Sequence, residues 1–387
     1  VAVIGAGIAG LNVAHSLARL GIDVTVFDKN SEVAAEASGN RWGMMYPLIT
    51  KKIDRLGTLT KSGCAFTRNQ LQNLNLTIKE GLLEYATDEG KVKRLEQGLE
   101  RLPKDYIKQL SANDITSEFS FDSAHGAVYH QQAATFSPKD YCQILLESKL
   151  FKCELDSELE ELTRLDENWQ LKFLDGREEK FDSVVLATAY ATKNFAATEH
   201  LPLRVTRGQV ASIPKEAVNQ DVKTGLNFVN YLVQDGEDDY VLGATFQVDD
   251  HGQDFRPEDN VELLESIQKF FPGLVKDLDP LTLSGRVCFR AVLKDYFPLV
   301  GPVCDLETYK ETFEAIKFGR PKHQYDEPPY KEGLYVLAGL GARGLSTASL
   351  LGTYLARLIV DGVSILPEEH ITATHPSRFI LKELKKS

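Results

Sequence analysis

The stretch VAVIGAGIAGLNVAHSLARLGIDVTVFD, residues 1–28, decides the fold class of this chain. Residues 1–4 predict a short buried strand, and apolar residues at helical spacing follow the glycines. Between them, Gly5, Gly7 and Gly10 complete the pattern G-x-G-x-x-G. The first glycine permits a tight turn, the second permits close approach of a pyrophosphate, and the third permits close packing of the helix on the strand. The stretch therefore predicts a strand, turn and helix that bind a dinucleotide with its phosphates at the helix N-terminus.

An acidic residue follows at the position expected for ribose binding. A second predicted strand, residues 24–27, ends at Asp28. An acid at roughly this distance beyond the glycines commonly binds a ribose hydroxyl. The pattern occurs in both NAD and FAD enzymes, so this stretch alone leaves the cofactor open.

The composition is that of an ordinary globular protein. The chain has 387 residues, of which 43% are hydrophobic and 26% are charged. This length allows a large core and about two or three domains. The net charge of −12 disfavours broad nonspecific binding to nucleic acid, so an RNA contact requires a local basic patch. No apolar run is long enough to cross a bilayer, and we expect no membrane partner.

The cysteines and histidines give no sign of a metal site. The five cysteines contain no C-x-x-C pair, which favours reduced thiols and a cytoplasmic location. The eight histidines lack the spacing of metal ligands, so we expect no metal.

The middle of the chain changes from a helical to an extended pattern. Residues 76–125 predict mixed helix and loop, and a helix follows with Ser137 as its N-cap and Pro138 in its first turn. Residues 208–246 instead alternate in short segments, including two strands joined around residues 235–236. We therefore expect an antiparallel sheet inserted into an α/β domain.

The end of the chain repeats the pattern of strand, glycine turn and helix. A predicted strand precedes Gly339, Gly341 and Gly344, and Ser346 or Thr347 is the expected N-cap of the helix. A flavoprotein needs a second helix N-terminus near the isoalloxazine, where reduction develops negative charge, whereas a simple nicotinamide enzyme seldom does. We therefore expect FAD, although the same glycines also suit a tight corner without a ligand.

Together these patterns predict an α/β fold. A Rossmann-like FAD-binding domain is expected to carry an inserted α+β substrate domain built on an antiparallel sheet. The expected FAD-binding segments are residues 1–75, 137–200 and 325–387, the last with a basic C-terminal tail, and the expected substrate-domain segments are residues 76–136 and 201–324.

Several further motifs point to one family. The first glycine pattern, Asp28, RGQV at 207–210, YLVQ and LGAT within 231–245, and FRAVLKDYFPLVGP at 289–302 resemble the FAD-dependent D-amino-acid oxidase and glycine oxidase superfamily. Three segments are more specific: ASGNRWGMMYPL at 37–48, GLGARGLSTASL at 339–350 and HPSRFILKELKK at 375–386. These resemble the oxidase half of the bifunctional tRNA 5-methylaminomethyl-2-thiouridine biosynthesis proteins.

The resemblance implies a glycine oxidase-like fold and a reaction on tRNA. Such an enzyme removes the carboxymethyl group from 5-carboxymethylaminomethyl-(2-thio)uridine at the wobble position and leaves 5-aminomethyl-(2-thio)uridine. The group removed is in effect an N-substituted glycine, so flavin oxidation and hydrolysis would release glyoxylate, and oxygen as electron acceptor would give hydrogen peroxide. The alternatives are an oxidase of free glycine, sarcosine or D-amino acids, and a noncatalytic flavin-bearing RNA-binding module.

The resemblance also implies which residues bind the substrate. Arg290 stands where glycine oxidase-like enzymes place the arginine that holds the substrate carboxylate through two hydrogen bonds. Tyr231 matches a family tyrosine and would add a hydrogen bond, although Gln234 replaces the usual proline nearby. Arg343 would stabilise reduced flavin or contact the nucleotide substrate. The structural alternatives are an ion pair for each arginine and an ordinary strand aromatic for Tyr231.

The expected FAD-binding residues come from both glycine turns, from Asp28 and from the loop after the second strand. In that loop, Ser38, Gly39 and Asn40 would donate hydrogen bonds, and Arg41 would reach phosphate or substrate. The full expected set is Gly5, Gly7, Gly10, Asp28, Ser38, Gly39, Asn40, Arg41, Gly43, Gly339, Gly341, Arg343, Gly344 and Leu345.

The expected macromolecular partner is tRNA. Arg378, Lys382, Lys385 and Lys386 are spaced to share one sector of a helix that can meet phosphates, although terminal lysines are often simply solvated. The chain starts inside a predicted strand without an initiator Met, so we expect that upstream residues are missing. A fused methyltransferase domain there would carry much of the tRNA contact.

Overall fold

Two large sheets organise the chain in the computed structural model, which describes residues 1–236, 238–319 and 324–386. The strands in these residues are, in chain order, β1 (Ala2–Ile4), β2 (Thr25–Phe27), β3 (Gly43–Met45), β4 (Lys79–Glu84), β5 (Ile107–Leu110), β6 (Ala127–Phe136), β7 (Lys152–Glu154), β8 (Leu159–Leu165), β9 (Asn168–Phe173), β10 (Glu178–Phe181), β11 (Val184–Leu186), β12 (Arg204–Ile213), β13 (Gly225–Asn227), β14 (Tyr231–Gln234), β15 (Tyr240–Gly243), β16 (Gln247–Val248), β17 (Gly285–Val292), β18 (Leu299–Cys304) and β19 (Tyr330–Ala338). The α-helices are α1 (Ile8–Arg19), α2 (Arg55–Asn73), α3 (Glu89–Arg101), α4 (Ala112–Phe119), α5 (Pro138–Glu147), α6 (Pro257–Phe270), α7 (Leu306–Thr312), α8 (Gly344–Asp361), α9 (Glu368–Thr374) and α10 (Arg378–Leu384).

The first sheet has six strands in the order β18-β19-β11-β1-β2-β7. All neighbouring pairs are parallel except β18 and β19. The residues of β1 are all buried, as expected for a central parallel strand covered on both faces. Helices α1, α5 and α8 pack together beside this sheet, and α2 packs on α8. This arrangement confirms the Rossmann-like part of the predicted fold.

The second sheet has ten strands and is antiparallel except where β13 runs beside β4. Its main path is β16-β12-β15-β14-β13-β4-β6-β3, with β17 paired to β12 and β5 paired to β6. Strands β14 and β15 form the hairpin predicted around residues 235–236. A three-stranded antiparallel sheet, β10-β9-β8, accompanies the first sheet. The second sheet confirms the inserted antiparallel domain.

Two strands pair across the expected domain boundaries. Strand β3 lies in the first expected FAD-binding segment but pairs with β6 in the ten-stranded sheet. Strand β18 lies in the second expected substrate segment but pairs with β19 in the six-stranded sheet. The division of the chain into the five expected segments stays a prediction.

Two local predictions are wrong. Residues 76–125, expected as helix and loop, contain β4 and β5 as well as α3 and α4. In β4, Leu82 and Leu83 are both fully buried, so the strand lacks the alternation by which a half-exposed strand is recognised. Helix α8 begins at Gly344 rather than after Ser346 or Thr347, because it continues directly from a 3-10 turn at Gly341–Arg343. The predicted helix after Ser137 is confirmed, and the Ser137 side chain accepts the backbone N–H of Asp140.

The C-terminal helix exposes only part of the basic sector that its spacing predicts, namely Lys382, Lys385 and Lys386. Arg378 is buried, and its guanidinium donates to both carboxylate oxygens of Asp295 at 3.0 and 2.9 Å. Lys382 also reaches Asp295, at 3.3 Å. The prediction that Arg378 meets phosphates is therefore wrong, because this side chain anchors α10 to the loop after β17.

The described residues include no helix with the length and apolar character needed to cross a bilayer. In the same ranges, no three His, Cys, Asp or Glu side chains group as metal ligands. All five cysteines are free thiols, and burial raises the pKa of Cys64 to about 12. The cytoplasmic location stays a prediction.

A buried ionic cluster lies between β4, β6 and α3. Glu84 accepts hydrogen bonds from His130 Nε2 at 2.8 Å and Arg94 Nη2 at 2.7 Å, and Lys91 Nζ lies 3.7 Å away. Burial alone would raise the pKa of Glu84, but the hydrogen bond from His130 and the surrounding positive charges hold it below its ordinary value. The carboxylate is therefore ionised and compensates buried cationic groups.

Replacing Glu84 with Gln is expected to lower the free energy of unfolding at neutral pH by about 3–5 kcal/mol, because Lys91 and Arg94 lose their buried counter-charge. Since the folded-state pKa is depressed, this stabilisation is complete above the ordinary glutamate pKa of 4.5 and is lost as pH falls below it. Urea unfolding at several pH values measures the effect. Glu118→Gln, which breaks an exposed pair with Lys108, is the matched control and should have a much smaller effect. Equal losses in the two variants would contradict the assignment.

Candidate active site between the two sheets

One elongated cavity of about 1290 Å³ runs between the two sheets. It exceeds the range of roughly 300–1,000 Å³ that is usual for small-molecule pockets. Its lining combines the first glycine turn, the end of β2, the loop before β3, the last glycine turn and one face of the ten-stranded sheet. The predicted residues from both ends of the chain therefore meet around a single space.

The first glycine turn forms one end of the cavity. Gly5 has a φ of 109°, and a Cβ there would lie 2.6 Å from the carbonyl oxygen of Ala187. Gly7 precedes α1 and lines the cavity, whereas Gly10 lies behind the turn, where a Cβ would overlap the carbonyl oxygen of Gly5. The N-terminus of α1 thus lies beside the cavity.

Asp28 fixes this turn and also lines the cavity. Its Oδ2 accepts the backbone N–H of Ala6 at 2.6 Å, and its Oδ1 accepts the backbone N–H of Asn30 at 2.9 Å. Ser38, from the following loop, accepts the backbone N–H of Ile8 through Oγ at 3.0 Å. The two side chains hold the turn and the loop together at the expected nucleotide site.

The last glycine turn also lines the cavity and lies beside the start of α1, since a Cβ at Gly344 would be 3.5 Å from Ile8 Cγ2. Gly339 and Gly341 have φ values of 71° and 54°, and both line the cavity together with Gly344 and Leu345. No side chain caps α8, whose N-terminus follows this turn directly. Two helix N-termini, those of α1 and α8, therefore open into the same cavity, where each favours negative charge.

The loop before β3 contributes only some of its expected residues. Ser38, Asn40 and Gly43 line the cavity. Gly39 instead packs against the guanidinium of Arg286, and Arg41 forms an ion pair with Asp235 on the β14–β15 hairpin. The Arg41 side chain is 60% exposed and is not part of the cavity lining.

Arg286, which the sequence analysis missed, secures this loop. Its guanidinium donates to the carbonyl oxygens of Gly39, Ala35 and Glu36, and it lines the cavity. Arg286 lies on β17 four residues before Arg290, so the two side chains share one face of the strand. That period-two spacing is the signal in the sequence that could have paired them.

Arg290 and Tyr231 both lie on the ten-stranded sheet and line the cavity. The Arg290 guanidinium lies over Gly208, where a Cβ would be 2.7 Å from its Nη1. Arg290 forms no ion pair or hydrogen bond with another side chain in the described ranges, although it is half-buried. Burial raises the pKa of Tyr231 to about 12, against the opposing effect of the Arg290 charge. The phenol is therefore protonated and can donate a hydrogen bond at neutral pH.

Arg343 lies against Tyr46, another cavity residue that the sequence analysis missed. Its guanidinium is 4.9 Å from the Tyr46 ring centroid, and no carboxylate of the described residues lies within ion-pair distance. On its other side, Tyr46 contacts the His130 ring edge to face at 5.6 Å. The Glu84 cluster thus supports the aromatic ring on which Arg343 rests.

The acidic residues of the cavity lining lie outside the ten-stranded sheet. They are Asp28, Glu36, Glu158 and Glu160, which all lie near the first glycine turn or on the strands beside it. The ten-stranded sheet contributes Arg286 and Arg290 but no acid among the described lining residues. The face of this sheet that lines the cavity is therefore suited to an anionic group.

The residues present fit FAD. The Oδ1 atom of Asn40 is buried beside the cavity and has no hydrogen-bond partner within the described part of the chain, as expected where a ligand hydroxyl or N–H completes the site. We propose that the first glycine turn and Asp28 hold the nucleotide portion, and that the turn at residues 339–345 holds the flavin portion.

Replacing Arg286 with Ala is expected to weaken FAD binding at least tenfold, because the loop at residues 35–39 loses three hydrogen bonds. Titration of flavin-free protein with FAD, followed by fluorescence, measures the dissociation constant. Arg357→Ala, which breaks an exposed pair with Asp361, is the matched control and should leave it unchanged. Unaltered affinity in the Arg286 variant would show that the loop does not depend on this side chain.

Comparison with known proteins agrees with this geometry. The chain is 32% identical to the tRNA 5-methylaminomethyl-2-thiouridine biosynthesis bifunctional protein MnmC of Pseudomonas putida, with 99% of this chain and 60% of that protein covered. The chain thus spans about 60% of the length of the curated relatives it matches.

Solved structures share the fold. An iminodiacetate oxidase from Chelativorans is 21% identical with a TM-score of 0.75, and a glycine oxidase from Geobacillus kaustophilus is 17% identical with a TM-score of 0.76. Each comparison covers 97% of this chain and 98% of the other. They confirm the predicted glycine oxidase-like fold.

Residues 1–358 match the family described as FAD dependent oxidoreductase. This match confirms the predicted cofactor, FAD, and the predicted class of enzyme, an FAD-dependent amine oxidase. The chain belongs to the family of FAD-dependent oxidoreductases.

Proposed function

We propose that this oxidoreductase acts on the wobble uridine of tRNA. It removes the carboxymethyl group of 5-carboxymethylaminomethyl-(2-thio)uridine and gives 5-aminomethyl-(2-thio)uridine, glyoxylate and hydrogen peroxide. The observation that carries this proposal is the Arg290 guanidinium, which faces the cavity without a partner in the described residues, on a sheet that contributes no acid to the described lining.

Arg290 binds the substrate carboxylate. A guanidinium offers two parallel N–H donors to a carboxylate, which fixes both the charge and the direction of the adjoining methylene. Tyr231 adds a third donor, because its phenol keeps its proton. The protein therefore selects a carboxymethyl group by position as well as by charge.

The arginines of the cavity lining favour the neutral, reactive form of the substrate amine. Arg290 and Arg343 are both cationic, and positive charge nearby disfavours protonation of an amine. A neutral amine keeps the lone pair that assists oxidation of the adjoining carbon–hydrogen bond. No side-chain base is required for this arrangement, and the cavity residues contribute orientation and electrostatics.

FAD bound in this cavity supplies the two-electron oxidation and passes the electrons to oxygen. The overall change is R–NH–CH2–COO⁻ + O2 + H2O giving R–NH2 + OHC–COO⁻ + H2O2. Water therefore supplies the aldehyde oxygen of glyoxylate. Hydrolysis cleaves the bond between the carboxymethyl carbon and the nitrogen, and the nitrogen stays on the uridine side chain.

Two observations support tRNA as the substrate. The Pseudomonas putida relative acts, according to its name, in biosynthesis of a modified uridine of tRNA, and the match covers 99% of this chain. The cavity is also open to solvent beside Phe246 and Val229, which are exposed residues of its lining. We further propose that a fused methyltransferase domain acts on the product, since the relative is bifunctional and longer than this chain.

Incubation of the purified protein with tRNA that carries 5-carboxymethylaminomethyl-2-thiouridine is expected to convert this nucleoside to 5-aminomethyl-2-thiouridine. Nucleoside mass spectrometry, with assays of glyoxylate and peroxide, measures the conversion. Free glycine, sarcosine and D-alanine are the comparison substrates. Turnover of these amino acids at comparable efficiency, without conversion of tRNA, would replace the proposal with the amino-acid oxidase alternative.

Replacing Arg290 with Lys is expected to lower kcat/KM for the modified tRNA about 100-fold, because an ammonium cannot form the two parallel hydrogen bonds. Steady-state peroxide release measures the change. Arg164→Lys, an equivalent substitution on β8 outside the cavity lining, should retain activity. Full activity of the Arg290 variant would exclude the carboxylate clamp.

A further inference from the structure

Four residues of the cavity lining, Val229, Phe246, Tyr190 and His251, form a rim at its mouth. Val229 and Phe246 line the cavity but are 64% and 53% exposed. Tyr231 pairs with Gly243 at the end of the β14–β15 ladder, and Asn230 donates through Nδ2 to the carbonyl oxygen of Ala244 at 3.2 Å. Val229 lies one residue and Phe246 two residues beyond this contact, and both line the cavity.

Two further side chains with planar rings line the same cavity. Tyr190 and His251 line it and contact each other with ring centroids 5.6 Å apart. The Lys193 ammonium lies 5.9 Å from the Tyr190 ring centroid, so a cation adjoins this pair. Planar side chains with an adjacent cation are the usual composition of a site for unstacked bases of single-stranded RNA.

The charge of this rim differs from that of the chain as a whole. Asp249 and Asp250 precede His251, and each is matched by an arginine: Arg204 binds Asp249, and Arg256 binds Asp250 at 2.5 and 3.2 Å. Although the chain has a net charge of −12, these two acids beside the rim are neutralised by arginines. This pairing lowers the repulsion of a phosphate backbone.

We propose that this rim, defined by Phe246, Val229, Tyr190 and His251, receives the modified nucleobase after it has left the anticodon stack. Phe246 stacks on the uracil ring while the carboxymethylaminomethyl group of that ring extends inward to Arg290. This inference rests on the proposed function. It adds a site that recognises the base in addition to the clamp that recognises the carboxylate.

A small amino acid has no ring for Phe246 to contact, so the rim favours the nucleotide substrate specifically. Stacking of a base on an aromatic side chain contributes an amount equivalent to roughly a tenfold change in affinity or more. The rim therefore accounts for discrimination between tRNA and free amino acids without any change in the inner site.

The test compares two anticodon stem–loop RNAs, one carrying unmodified uridine and one with an abasic wobble position, since neither offers a carboxylate to Arg290 or a group that FAD can oxidise. Fluorescence anisotropy with the FAD-loaded protein measures both dissociation constants. We expect the unaltered protein to prefer the uridine RNA to the abasic RNA at least tenfold, Phe246→Ala to lose most of this preference, and Phe246→Trp to keep it. Phe318→Ala, a change at a 63% exposed phenylalanine outside the cavity lining, is the matched control.

The outcomes separate the rim from the proposed function. If the unaltered protein converts modified tRNA but Phe246→Ala keeps the full preference for the uridine RNA, the rim proposal is overturned and the function stands. If the unaltered protein releases no glyoxylate from modified tRNA, the proposed function fails. An equal loss of affinity in the Phe318 and Phe246 variants would also overturn the rim, because the effect would not be local.

Discussion

Close backbone contact of α1 with the first turn, and of α8 with α1, is the constraint on which the rest of the structure depends. A Cβ at Gly10 would overlap the carbonyl oxygen of Gly5, and a Cβ at Gly352 would lie 2.9 Å from the backbone of Asn12. Side chains at these positions would push the helices apart. Because Gly10 and Gly352 have no side chains, the two helices pack closely and both of their N-termini open into one cavity. There the N–H groups and helix dipoles favour the negative charges of one cofactor, on its phosphates and on its reduced flavin.

The second sheet completes the site by adding two arginines to the cavity lining. Its strand β17 carries Arg286, which binds the cofactor loop, and Arg290, which faces the cavity without a partner in the described residues. One strand thus connects cofactor binding with the proposed recognition of the substrate carboxylate. The buried cluster around Glu84 supports Tyr46 and, through it, Arg343. The proposed chemistry then needs only orientation and charge from the protein, since the cofactor provides the oxidation.

The sequence was most informative where a backbone requirement dictates the residue, and least informative where distant side chains meet. The glycine turns, Asp28 and the β14–β15 hairpin have local patterns, and the structure contains each of them. By contrast, the loop carbonyls that Arg286 binds lie about 250 residues away, and Glu84 meets His130 only because β4 pairs with β6. Arg378 shows the reverse error, because a cation suited to phosphate is instead paired with Asp295. Arg41 forms an ion pair with Asp235, and its role at the cofactor stays a prediction.

The most direct measurement of the central claim is a crystal structure of the protein saturated with FAD. The account predicts one FAD that contacts both glycine turns, with its pyrophosphate at the N-terminus of α1, its ring at residues 339–345, and Arg290 facing the ring across the cavity. A nucleotide that contacts only one of the two turns, or a folded protein that takes up no FAD, would contradict it.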